Sequence, residues 1–140
     1  MGRILSLDIG RKRTGVAVTD PLKIIANGLT TIPTHTIFDF LTAYFEKENV
    51  ELLIVGYPVQ MNNSPSEAVT YIKPVLNRLK KVFPQLKVEL VDERFTSKLA
   101  MQAMIDGGMK KKDRQNKATV DTISATIILQ SYLESLSYKH

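Results

Sequence analysis

Leu52-Leu53-Ile54-Val55 is an unbroken apolar run, and it limits the fold more than any other stretch of the chain. A strand with one wet face alternates polar and apolar residues, whereas a short continuous run suits a strand covered on both faces. Covering both faces takes helices on either side of a sheet, so the run predicts an α/β layered fold. The flanks agree. Thr36, with Asp39 three residues on, predicts a capped helix start, and Phe38, Leu41 and Phe45 fall on one face of that helix. Beyond the run comes a loop over 56–63, then Ser64-Pro65-Ser66-Glu67, a capping box with proline at the first helical position. That helix is expected to end near Lys81 and to kink at Pro74.

Ahead of this pattern, Arg3 to Ile9, Gly15 to Thr19 and Asn27 to Ile32 read as three short strands, divided by a turn over 10–14 and a break at Asp20-Pro21. Such short connections make an antiparallel meander. Val88 to Val91 is a fifth strand. Thr96 opens a further helix that Gly107-Gly108 ends, and a last helix follows the basic segment and reaches Leu136. Right-handed crossovers then place the first strand centrally, with the two parallel strands on its far side. The expectation is one domain over residues 1–140. It has a mixed five-stranded sheet, a three-strand antiparallel meander plus two parallel strands, with helices on both faces.

Composition restricts the chemistry. The 140 residues contain no cysteine, which excludes disulfides and Cys-based zinc sites, and the histidines are only His35 and His140. A bound metal would therefore sit on carboxylates, which suits hard ions such as Mg²⁺ or Mn²⁺. A strand-like run starts at Arg3 with no apolar signal segment before it, and no stretch approaches bilayer length, so a cytoplasmic protein without membrane contact is expected. The net charge of +5 points toward polyanionic partners.

Three sets of acidic residues could form a metal site. Asp8 lies near the carboxyl end of the central strand, where open α/β sheets gather their chemistry, and Arg11, Lys12 and Arg13 occupy the turn that follows. Asp92-Glu93-Arg94 closes the fifth strand, and alternation turns only one of the two carboxylates toward Asp8. On the last helix, at about 100° per residue, Asp121 shares its direction with Ala118, Ala125, Ile128, Leu129 and Tyr132, opposite Thr126, Gln130 and Glu134. A carboxylate in a buried stripe is unfavourable unless it is paired or holds a metal. A salt bridge or a helix cap would serve each residue alone, but together they favour a site for one or two ions. Such a site cleaves phosphodiesters without a Ser, Cys or His nucleophile. Arg11, Lys12 and Arg13 in the turn, Asn62 and Asn63 in the loop, Arg94, and the basic run with Lys110, Lys111, Lys112, Arg114 and Lys117 are candidate contacts to nucleic acid.

Leu7-Asp8-Ile9-Gly10 with Gly15-Val16-Ala17-Val18, Val55-Gly56-Tyr57-Pro58 with Met61-Asn62, Asp92-Glu93-Arg94, and Val120-Asp121 leading into Ile127-Ile128-Leu129-Gln130 run in order along the chain. In these motifs the sequence resembles the YqgF/RuvX family of pre-16S rRNA nucleases and Holliday-junction-resolvase-like proteins. The resemblance implies a ribonuclease-H-like fold, metal-dependent endonuclease activity, and a bacterial role in trimming the 5′ end of the small-subunit rRNA precursor. It places Asp8, Glu93 and Asp121 as the acidic residues, with Asp92 or Glu93 as the metal ligand of that pair. Tyr57 and Asn63 depart from the family pattern, which has an aliphatic residue and a glycine there. Pre-rRNA is the implied partner, structured DNA an alternative, and both a monomer and a homodimer fit the sequence. Two other readings stay open: half of a two-domain ATPase, given Asp8-x-Gly10 and Gly15 in a strand-turn-strand, and a non-catalytic RNA-binding module.

Overall fold

A computed structural model describes residues 2–57, 69–92 and 117–137. Its elements are β1 (Arg3–Ile9), β2 (Arg13–Thr19), β3 (Ala26–Pro33), α1 (Ile37–Lys47), β4 (Val50–Tyr57), α2 (Val69–Val82), β5 (Lys87–Asp92) and α3 (Lys117–Ser137). The capping box at 64–67, the helix from Thr96 to Gly107-Gly108 and most of the basic run lie outside the described residues.

The strands form one sheet in the order β3-β2-β1-β4-β5. β1 pairs antiparallel with β2 and parallel with β4, and β4 pairs parallel with β5. This is the predicted meander with two parallel strands added beyond a central β1. It is an α/β, ribonuclease-H-like arrangement. The apolar run of β4 explains itself here: Leu53 and Val55 face α1 and α2 in one core, with Leu5, Leu7, Ile9, Leu41 and Ile72. Leu52 and Ile54 face α3 in the other, with Ile4, Ala17, Ala125, Ile128 and Leu129. Each such side chain taken fully out of water contributes roughly 1.5–3 kcal/mol, so both layers are needed to stabilise β4.

Local signals are met in part. The carboxylate of Asp20 accepts the backbone N–H groups of Leu22, Ile24 and Ile25, which makes the Asp20-Pro21 break a defined turn. Those bonds lower the Asp20 pKa, the Ile25 N–H most. α2 runs through Pro74, which stands inside the helix. Thr36 does not cap α1 as predicted. A 3₁₀ turn over Thr34–Thr36 precedes the helix, and the Thr36 hydroxyl donates back to the Pro33 carbonyl at 2.7 Å. With Thr36 at φ −101°, ψ 8° its side chain is not presented to the first helical N–H groups. No helix among the described residues is long and apolar enough to cross a membrane.

α3 lies on the sheet unusually closely over β2 and β3. A Cβ built on Gly15 would stand 1.9 Å from the Asp121 carbonyl oxygen, and one on Gly28 would stand 2.8 Å from Thr122 Cγ2. The contact is fastened by polar bonds: Ser6 Oγ donates to the Ala125 carbonyl at 2.6 Å, and the hydroxyls of Thr31 and Thr122 are bonded to each other. At its other end Tyr132 bonds the Glu89 side chain of β5; burial, and then that carboxylate, push the phenol up to about 12. Gly15→Ala should therefore push α3 off the sheet. The expected loss is about 1–3 kcal/mol, the range for overpacking a filled layer, read as a lower urea midpoint. An unchanged midpoint would mean that the helix slides at no penalty.

Candidate metal and nucleic-acid site

Period-two alternation along β1 sends Leu5, Leu7 and Ile9 to the α1/α2 core and leaves Ile4, Ser6 and Asp8 on the α3 side. Ser6 bonds Ala125, so Asp8, two residues on, faces α3 about one helical turn earlier, at the level of Asp121. The register agrees. Asp8 is opposite Gly15, and the space over Gly15 is filled by the Asp121 backbone. The Asp121 backbone, 113 positions along the chain from Asp8, thus lies over the residue opposite Asp8 at one end of the sheet. It is also the end where β4 and β5 finish, since Leu7 is level with Val55 and Tyr57 with Asp92.

Asp121 is less buried than the helical stripe predicts. Its side chain is 27% exposed and accepts from Arg13 Nε at 3.2 Å. Angular position on a helix does not report depth: α3 crosses the sheet near its margin here, so its first turns overhang the β1–β2 turn, whereas Ala125, Ile128 and Leu129 are fully covered. Burial therefore does not by itself demand a metal at Asp121, because Arg13 already offsets the charge.

The turn carrying the basic residues is closed and tied down by hydrogen bonds. Gly10 N–H donates to the Arg13 carbonyl at 2.8 Å, which starts β2 two residues earlier than expected, and a Cβ on Gly10 would stand 2.6 Å from that oxygen. Thr34 staples the turn from outside. Its N–H donates to the Lys12 carbonyl at 2.9 Å and its hydroxyl to the Gly10 carbonyl at 2.6 Å, so Thr14, 2.9 Å away, must donate to it. No sequence signal marks Thr34, since its partners come from a different hairpin. The three cations are splayed: Arg13 reaches Asp121, Arg11 lies 5.5 Å over the Tyr71 ring of α2, and Lys12 is exposed. Gly10, Arg11, Lys12, Arg13 and Asp121 line a hollow of about 330 Å³. A larger hollow of about 470 Å³ sits at the amino ends of β4 and β5, away from Asp8 and Asp121.

Asp8 and Asp121 supply carboxylate oxygens on one face, a donor set that fits a hard divalent ion. Among the described residues no three acidic or histidine groups are close enough to hold a metal together. The Asp92 side chain, Glu93, Arg94, Asn62, Asn63, Lys110, Lys111, Lys112 and Arg114 lie outside the described residues, as does the side chain of Lys117.

Comparison with known proteins bears on the whole chain. The family model described as RuvX, Holliday junction resolvase, matches residues 2–135. A Phocaeicola vulgatus protein named "Putative pre-16S rRNA nuclease" is 67% identical over 138 residues, covering 99% of both chains. Proteins of the same name from Bacteroides fragilis and Flavobacterium johnsoniae are 61% and 58% identical, each over 96% of this chain and 98% of the relative. With the sheet order and this match over residues 2–135, the chain belongs to the RuvX family.

Proposed function

We propose that the chain, a phosphodiester hydrolase by its family, is a divalent-metal-dependent endonuclease that trims the 5′ end of the 16S rRNA precursor. The observation that supports the reading is the seating of the Asp121 backbone over the strand partner of Asp8, beside a hydrogen-bonded basic turn at the carboxyl end of the sheet. Relatives named as pre-16S rRNA nucleases supply the substrate class. Asp8, Asp121 and one of the Asp92-Glu93 pair would hold Mg²⁺ or Mn²⁺. Such an ion lowers the pKa of water and offsets charge on the phosphodiester. Arg11 and Lys12 would draw the phosphate backbone into the hollow, with Asn62, Asn63, Arg94 and the run from Lys110 to Lys117 extending the contact.

Junction-structured DNA is the second reading, favoured by the description of the family model. Matched RNA and DNA substrates with Mn²⁺ or EDTA separate the two, and the RNA arm should include 16S leader transcripts extended at either end. Cleavage of the 5′-extended RNA with Mn²⁺ alone is the expected result. Cutting that persists in EDTA would remove the metal from the reading.

Asp121→Asn should abolish cleavage and the melting-temperature rise produced by Mg²⁺. In EDTA the melt should move little, because an ion pair this open holds about 0.2–1 kcal/mol. A large loss in EDTA would make Asp121 a structural residue. Replacing Lys110, Lys111 and Lys112 by Ala should weaken RNA binding and flatten its salt dependence, by a slope of roughly 0.7–0.9 per lost phosphate contact. An unchanged slope would assign the run to solvent.

A further inference from the structure

We infer that Arg13 is a built-in counter-cation that competes with the metal for Asp121 and is handed to a substrate phosphate when the metal enters. The inference rests on the metal site proposed above and adds how that site is regulated.

Asp8 and Asp121 lie on the α3 side at the same end of the sheet, where their like charges add to a negative field that a nearby cation offsets. Arg13 answers that need with a guanidinium placed beside Asp121. The bond is loosely made. At 3.2 Å it is longer than the usual charge-assisted range of about 2.7–2.9 Å, and 41% of the Arg13 side chain is exposed. A contact of this kind exchanges readily.

The backbone beneath it cannot follow, since the Arg13 carbonyl is bonded to Gly10 and the Lys12 carbonyl to Thr34. The side chain alone can swing, and the hollow it borders is the one lined by Arg11 and Lys12. A phosphodiester seated there would accept the released guanidinium through two parallel N–H bonds. Metal would then favour polyanion binding, and polyanion would favour metal by the same factor.

Mn²⁺ titration at low salt tests this with no cleavage step. Arg13→Gln should bind Mn²⁺ about two- to fivefold more tightly than wild type, the range an exposed pair can hold. Arg13→Lys, which keeps the charge, should stay near wild type, and the gap should close as salt screens the pair. Unchanged or weaker Mn²⁺ binding in Arg13→Gln, with Asp121→Asn losing it, overturns the role of Arg13 and leaves the metal site standing. Asp121→Asn binding Mn²⁺ like wild type overturns the site and this inference together. A merely structural Arg13 would lower the melting temperature without tightening the metal. If Arg13→Gln does not fold, the Nε–H resonance of Arg13 in wild type decides. It should shift and exchange faster with solvent as Mg²⁺ saturates, and a resonance that stays unchanged at saturation overturns the inference.

Discussion

The close seating of α3 on the meander governs the molecule. Helix–sheet layers are normally held apart by side chains, and here Gly15 removes that spacer, so the backbone of Asp121 rests directly on β2. Ser6, Thr31 and Thr122 then register the helix with hydrogen bonds that a sliding helix would lose. Asp8 faces the helix only because β1 alternates. Asp121 comes to it only because nothing stands between helix and strand. One missing methyl group sets how closely the Asp121 backbone lies on the strand position opposite Asp8.

The second determinant is electrostatic. Asp121 carries a charge at the edge of the helix–sheet layer, and Arg13 offsets it from a short turn closed by hydrogen bonds. The splay of Arg11, Lys12 and Arg13 follows from that turn. Successive residues in a tight hairpin point in different directions, so one cation goes to α3, one to α2 and one to water. A flexible loop of the same composition would collapse its charges onto whichever carboxylate was nearest.

The layers of this fold are legible in the sequence because burial on two faces leaves a pattern no other environment leaves, and Leu52 to Val55 carries it. The meander is legible because Gly10 and Asp20-Pro21 punctuate it. Element ends are less so: Thr36 has the composition of a cap, but the preceding 3₁₀ turn aims its hydroxyl at Pro33. In the site, the direction of Asp121 around its helix is readable, whereas its depth depends on where the helix overhangs the sheet. Arg13 illustrates the same limit. A cation in a turn reads as a contact for phosphate, and its bond to Asp121 across 108 residues leaves no local trace. Thr34 and Tyr71 go unseen for that reason.

The bond between Ser6 and Ala125 spans 119 positions and that between Arg13 and Asp121 spans 108, so the site closes a very long loop of chain. The meander has no such dependence, since β1, β2 and β3 pair through short turns. Contacts of high sequence separation form late, and the elements that make them are the ones that can detach as a unit while the rest persists. If α3 lifts away, Asp121 leaves with it and the sheet keeps its own hydrogen bonds. Under the function proposed above, cleavage is then lost before the fold is, and the working lifetime follows how well one helix stays seated.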